Sequence, residues 1–323
     1  MMPNFSYVRA TSLEDAIRRL SAPGARLHAG GTDLLCCLRS EVIGADRIVS
    51  ISGLSALRGI KPGTDGGLRI GALATLAELA AHPAIRKDYP ALAQAAASAA
   101  SPQLRSQGTI GGNLCQRPRC WYFRGDFRCA RKGGDQCYAA HGENQRHCIF
   151  GGEICVMVHP SDTAPALVAL EATLRVAGPK GQRSVAAVKF FVPPGKDVTR
   201  ENVLEAGEIL TEVILPPPPA GARGGYYKVR SRGAWDFALA GVASALQFDG
   251  GVVKRARLVL SGVAPIPWRI PAAEKELVGG KLDSVTIARV AAAAVAGAEP
   301  LSKNGYKVAL LRGAVETALS ELA

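Results

Sequence analysis

Six of the chain's eight cysteines fall between residues 115 and 155, in the stretch CQRPRCWYFRGDFRCARKGGDQCYAAHGENQRHCIFGGEIC. Thiolates are soft ligands that suit clusters and thiophilic metals. The stretch is also basic: Arg117, Arg119, Arg124, Arg128, Arg131, Lys132 and Arg146 would offset the negative charge of a thiolate-bound centre. Trp121, Tyr122, Phe123 and Phe127 would screen such a centre from water. A disulfide framework belongs mainly to small secreted domains, which this chain does not resemble in size. A structural zinc site usually shows tight C-x(2–4)-C pairs. The intervals from Cys120 through Cys129, Cys137, Cys148 and Cys155 are longer, which leaves Cys137, His141, His147 and Cys148 as the zinc alternative. Cys36 and Cys37 stand apart on a predicted helix and read as small core residues. His28, His82 and His159 suggest no triad, and no Ser-His-Asp set or paired carboxylates argue for a hydrolase.

A second kind of chemistry is carried by glycine. Neither AGGTDLL (residues 29–35) nor GTIGGNL (108–114) fits G-x-G-x-x-G or the P-loop, so neither label applies. Paired glycines tolerate positive φ and let backbone amides approach an anionic ligand closely. A helix N-terminus after Gly31 would add its dipole, and Thr32, Asp33, Thr109 and Asn113 supply polar anchors. Read singly, each turn is also an ordinary helix cap.

These residues must be positioned by a chain of 323 residues, enough for two or three domains. Hydrophobic content of 48% and charged content of 20% indicate a globular protein. No apolar run reaches the roughly 20 residues that span a bilayer, so no membrane insertion is expected. The first residues lack a basic n-region with an apolar stretch, which predicts no signal peptide. Net charge is +12, but the basic residues are scattered without a recognition motif, so docking to protein partners is expected and nucleic acid is not.

SLEDAIRRL predicts a helix with Ser12 as N-cap, and ARLHAGGTDLLCCLRS predicts strand, glycine turn and helix. RIVSISGL and GLRIGALATLAELAAHP supply short strands and another helix. Residues 89–114 predict one long helix breaking near Pro102, then the second turn. HPSDTAPALVALEATLRVAG reads as turn, helix and strand, and LPPPPAGARGG (215–225) as a linker. YYKVRSR, ALAGVASALQF, VKRARLVLSGVA and the helical SVTIARVAAAAVAGA then suggest a compact α+β unit.

HAGGTDLL, followed about 80 residues later by GTIGGNLC and then by SDTAPALVALEA, resembles the flavoprotein subunit of the molybdenum hydroxylases. That family includes xanthine dehydrogenases, aldehyde oxidoreductases and carbon monoxide dehydrogenases. The resemblance implies an α+β fold: an FAD-binding domain of the vanillyl-alcohol oxidase (PCMH) type over 1–218, in two subdomains, and a small C-terminal α+β flavoprotein domain over 224–323. It places the FAD pyrophosphate on Leu27, His28, Ala29, Gly30, Gly31, Thr32, Asp33 and Leu34. Thr109, Gly111, Gly112 and Asn113 would lie along the ribityl chain and dinucleotide. Asp162 would contact the cofactor, Leu210 the flavin ring, and Lys228 would sit beside that ring, where a cation favours the reduced anion.

The cysteine stretch resembles an insertion found in two branches, the FAD subunit of bacterial three-subunit aldehyde oxidoreductases and the β subunit of 4-hydroxybenzoyl-CoA reductase. In both, four cysteines bind a [4Fe–4S] cluster; QRPRCWYF and CIFGGEICVMVHPSD look closer to the aldehyde branch. The implied ligands are Cys120, Cys129, Cys137 and Cys155, with Cys148 in reserve and Cys115 packing beside the flavin. Cys155 lies seven residues before Asp162, the interval the resemblance suggests. The implied role is electron transfer without substrate chemistry. A large molybdopterin subunit would oxidise an aldehyde, and a small [2Fe–2S] subunit would pass electrons to this chain's FAD and on to an external acceptor. The assembly would be a heterotrimer able to pair further, cytoplasmic, or periplasmic by co-export with a signal-bearing partner. The alternatives are the reductase branch, with electrons driven toward an aromatic CoA thioester, and a non-enzymatic basic zinc scaffold.

Overall fold

A computed structural model describes residues 2–323. Strands β1 (Ser6–Arg9), β2 (Ala25–His28) and β3 (Arg47–Ser50) form a parallel sheet in the order β1-β3-β2. Parallel neighbours need crossover connections, supplied by helices Leu13–Leu20 and Leu34–Arg39. The first helix begins where expected, the Ser12 side chain accepting from the Asp15 amide. The Gly30–Gly31 turn leaves the carboxyl end of β2, where open parallel sheets characteristically present ligands.

Strands β4 (Ile60–Pro62), β5 (Leu68–Gly71), β6 (Thr173–Gly178), β7 (Gly181–Ala186) and β8 (Ile209–Leu215) form an antiparallel sheet in the order β4-β5-β8-β6-β7. Its apolar face packs with helices Pro90–Ser98 and Thr163–Ala169, the latter buried along its whole length. Residues 216–221 then lead to β9 (Ala222–Val229), β10 (Ala240–Asp249), β11 (Val252–Ser261) and β12 (Trp268–Arg269), an antiparallel meander. Helices Pro271–Leu277, Ser284–Val295 and Tyr306–Ser320 close a second large core over it. Among the described residues, no helix is long and apolar enough to cross a membrane.

Three local expectations change. The long helix predicted over 89–114 is three helices, Pro90–Ser98, Pro102–Gln107 and Ile110–Leu114. The break near Pro102 is as expected: Ala100 adopts φ 46° and Ser101 caps a new helix that Pro102 starts. The second glycine turn is itself helical, with Thr109 accepting from the Gly112 amide. Strand β9 begins inside the expected linker, and helix Tyr306–Ser320 was not anticipated.

The cysteine-rich stretch is held by the C-terminal helices. Fully buried Lys307 donates to the carbonyls of His147 (3.0 Å) and Gly262 (2.6 Å), and Asn304 donates to those of His147 and Cys148. Each buried donor thus finds an acceptor, which the cost of desolvation demands.

Candidate functional site

The two glycine turns meet across a cleft of about 330 Å³, within the range of small-molecule sites. Leu27, Ala29 to Leu34, Thr109, Gly111, Gly112 and Leu210 all line it. The turns are close-packed: a Cβ on Gly30 would lie 1.9 Å from the Gln107 carbonyl oxygen, and Gly31 has φ 73°. Gly112 differs, since a Cβ there would meet only Thr109 Oγ1, at 3.1 Å, and would otherwise enter the cleft. Cys37 and Cys115 also line the cleft; Cys37 is buried as expected, whereas Cys36 is exposed. A slightly larger groove, about 410 Å³, runs along residues 216–219 and contains none of the residues the sequence singles out.

Some expected residues do not face the cleft. The His28 ring turns to Ser50 Oγ (3.3 Å) and the Tyr7 ring, and burial lowers its pKa. Asp33 lines the cleft but spends its carboxylate on the cysteine-rich stretch, accepting from the Arg117 amide (2.7 Å) and pairing with Arg124 (2.8 Å) and Arg119 (3.0 Å). Asn113 Oδ1 accepts from Ser161 Oγ (2.5 Å) and Thr163 Oγ1 (2.6 Å), stitching the second turn to the SDT motif. These contacts make both residues braces between segments.

Asp162 and Lys228 form a buried ion pair at 2.8 Å, with side chains 6% and 3% exposed. Tyr226 Oη donates to the other Asp162 oxygen at 2.7 Å, and Lys228 Nζ also donates to the Ser98 carbonyl at 3.2 Å. Tyr226 and Lys228 are two apart on β9 and therefore share a face, a signal that could have found Tyr226 from the sequence. Removing one member of a buried pair strands the other charge. Lys228→Met is accordingly expected to destabilise the protein by about 3–5 kcal/mol, read as a lower denaturant midpoint. Asp162→Asn in the same chain should recover part of that loss. A midpoint unchanged by Lys228→Met would contradict it.

The cysteine-rich stretch folds into short turns around a second, small cavity of about 20 Å³. Cys120, Cys129, Cys137 and Cys155 line it together with Tyr122, Phe123, Arg131, Tyr138 and Met157. Cys148 does not; it packs with Ala139 and Val156 in an apolar cluster, and burial pushes its thiol up to about 12. Cys120, Cys129 and Cys137 each immediately precede a single helical turn: Trp121–Arg124, Ala130–Lys132 and Tyr138–His141. Amides therefore converge on sulfur: Phe123 and Tyr122 on Cys120, Val156, Ala139 and Ala140 on Cys137, Met157 on Cys155.

The electrostatics of this cavity are uneven. Burial raises Cys120 to about 11 in spite of its amides, and His147 Nε2 lies 3.2 Å from its sulfur. A hydrogen bond with Cys155 lowers the Cys137 thiol, and the same bond, with burial, pushes Cys155 up. Arg131 is the basic residue of the stretch that faces the cavity. Most of the others are occupied elsewhere: Arg119 and Arg124 with Asp33, Arg117 with Glu201, Arg146 with Asp236 and Lys132 with the Gly125 carbonyl. Trp121 and Phe127 are exposed, so Tyr122, Phe123 and Tyr138 do the screening. Among the described residues, no group of three or more His, Cys, Asp or Glu side chains is arranged to hold a single metal ion.

Residues 3–218 match the family described as FAD binding domain in molybdopterin dehydrogenase, and residues 225–322 match the CO dehydrogenase flavoprotein C-terminal domain. The chain is 38% identical to the aldehyde oxidoreductase FAD-binding subunit PaoB of Escherichia coli (strain K12), over 99% of this chain and 98% of that protein. It is 29% identical to the carbon monoxide dehydrogenase medium chain of Hydrogenophaga pseudoflava, over 98% and 96% of the two chains. The fold is similar to that of the solved carbon monoxide dehydrogenase from Hydrogenophaga pseudoflava that lacks the Mo-pyranopterin moiety. There the TM-score is 0.80 at 28% identity, covering 100% of this chain and 98% of the other.

Proposed function

The chain belongs to the FAD-binding subunits of the molybdenum hydroxylase family, and on that premise we propose that it is the electron-transfer subunit of a molybdenum-dependent aldehyde dehydrogenase. In this reading residues 1–218 bind FAD, residues 224–323 complete the flavin site, and residues 115–155 hold a [4Fe–4S] cluster. A large molybdopterin subunit and a small [2Fe–2S] subunit are the partners. The similarity to an aldehyde oxidoreductase subunit along 99% of the chain supports the aldehyde branch.

FAD supplies the capacity to collect electrons from iron–sulfur centres and deliver them to an external acceptor. The residues of this chain bind and orient it. The first glycine turn lines the cleft with backbone bare of side chains at Gly30 and Gly31, as a pyrophosphate requires, whereas the amides of Ile110 to Asn113 in the second turn are donated to Ala74, Ala72 and Thr109. Leu210, 4% exposed, offers an apolar surface to the ring. Lys228, 3% exposed and paired with Asp162, does not line the cleft; it fixes β9 against the SDT segment beside the cleft.

The observation that carries the cluster reading is the gathering of four cysteines from separate turns onto one enclosed cavity. A zinc ion needs its ligands at about 2.3 Å from one point, whereas a cubane takes each thiolate on a different iron, so its ligands need not converge. The cluster would supply one-electron transfer, at a potential tuned by hydrogen bonds to sulfur, and amides here already point at sulfur. The cavity is narrow, about 20 Å³, so the hydrogen-bonded Cys137 and Cys155 thiols must turn apart to receive it.

The test is co-expression with the two partner subunits. The expected complex is coloured, with flavin bands and broad iron–sulfur absorption, and oxidises aldehydes only when all three chains are present. Aldehyde oxidation by this chain alone, at the rate of the complex, would sink the proposal.

A further inference from the structure

Between the four-cysteine cavity and the FAD cleft lies a row of charges, of which Arg131 and Glu201 are buried. Arg131 lines the cavity, and its side chain is 1% exposed. Its Nη1 donates to Glu201 Oε1 at 2.8 Å and to the Arg200 carbonyl at 3.2 Å. Its Nε and Nη2 are buried without a nitrogen or oxygen acceptor, and the guanidinium lies against the Cys155 sulfur. Buried donors are costly to leave without an acceptor, and here they stand on the wall of the cysteine cavity. Glu201, 5% exposed, offers its other oxygen to Arg117 Nε at 2.9 Å. Arg117 in turn lines the FAD cleft, and its amide donates to Asp33 in the first glycine turn. The row therefore runs cysteine cavity, Arg131, Glu201, Arg117, flavin cleft.

We propose that Arg131 and Glu201, completed by Arg117, form an electrostatic bridge that couples the charge of the cluster to the charge of the flavin. The proposal rests on the cluster reading above. Glu201 is a positioning residue, since it touches neither centre and acts through the two arginines. Arg131 and Glu201, 1% and 5% exposed, are poorly screened by solvent, whereas Arg117, 26% exposed, is partly screened. An electron arriving at one centre changes the field on a guanidinium whose partner carboxylate is shared with the other centre. Such coupling is reciprocal, so reduction of either centre disfavours reduction of the other to the same extent. Glu201 lies outside the cysteine-rich stretch, between Arg200 and Asn202 in the segment that leads to β8.

The signs of the expected effects separate this role from a structural one. Arg131→Gln removes a cation from the cavity wall, so the cluster should become harder to reduce. Glu201→Gln removes an anion shared by both arginines, so the cluster and the flavin should both become easier to reduce. Arg131→Lys keeps the charge and should leave the potentials near those of the parent. A tenfold change in the reduction equilibrium is about 59 mV for a one-electron couple, and shifts of at least that size are expected.

The whole complex is purified for each variant, iron and flavin are counted, and both centres are titrated. The [4Fe–4S] signal is followed by EPR and the flavin by visible absorption. Opposite shifts of cluster potential in Arg131→Gln and Glu201→Gln, with iron and FAD retained, establish the bridge. If Arg131→Gln does not assemble, the joint positive shift of cluster and flavin in Glu201→Gln, against an unmoved Arg131→Lys, establishes it alone. Iron-replete, flavin-replete variants with unmoved potentials overturn the bridge and leave the cluster standing. An iron-free parent complex overturns the cluster reading and the bridge with it.

Discussion

Cys155→Ser is expected to strip about four irons from each chain, the content of one cubane, while Cys148→Ser keeps them. The two cysteines are seven residues apart and both buried, so burial does not distinguish them. Their surroundings do. Cys155 lines the same cavity as Cys120, Cys129 and Cys137 and hydrogen-bonds to Cys137. Cys148 packs into the apolar cluster of Ala139 and Val156, and lies so close to Gly152 that a Cβ there would be 2.4 Å from its sulfur. Serine is close to cysteine in size, so the fold should accept either change, but its hydroxyl is a poor substitute for a soft thiolate. Iron analysis with EPR of the reduced proteins decides the matter. Iron lost from Cys148→Ser and kept in Cys155→Ser would overturn the ligand assignment.

Gly112→Val is expected to lose most of its FAD while remaining folded. A Cβ at this position meets a single side-chain hydroxyl, Thr109 Oγ1 at 3.1 Å, which must give by a few tenths of an ångström while it caps the Gly112 amide. The branched side chain otherwise projects into the cleft, where the cofactor must come close to backbone. Overpacking of about 1–3 kcal/mol corresponds to roughly fivefold to 150-fold weaker binding. Gly31 is the less clean test, because φ 73° strains any β-branched residue and a Cβ would lie 2.8 Å from His28 Nε2. The flavin released on denaturation is measured against protein, with circular dichroism to show that the fold persists. Undiminished flavin in Gly112→Val would contradict the placement of the cofactor in this cleft.

The structure also reassigns work among residues that look alike in the sequence. Seven basic residues of the cysteine-rich stretch seemed equally suited to balance a cluster, yet Arg131 is the one on the cavity wall. Arg119 and Arg124 pair with Asp33 and so tie this stretch to the first glycine turn. Damage to either site should therefore be felt at the other, which gives the two cofactor predictions a common control: flavin content in Cys155→Ser and iron content in Gly112→Val.

The sequence by itself determined what short-range physics controls. Ser12 caps its helix, the strand–turn–helix around Gly30 and Gly31 forms as read, and β9 to β11 follow their apolar stretches. The two glycine turns identified themselves because close backbone approach is a property of the residue type, joined at Gly31 alone by positive φ. The break expected near Pro102 falls at Ala99 to Ser101, although alanine favours helix in isolation; what the sequence left out is the further break at Gly108. What only the tertiary structure decided are pairings across long sequence separation. Asp33 finds Arg124 ninety-one residues away, Arg131 finds Glu201 seventy residues away, and Lys228 finds Asp162 sixty-six residues away. No periodicity announces such partners: a buried charge specifies that it needs a counter-charge, and the fold decides which of many candidates stands within reach.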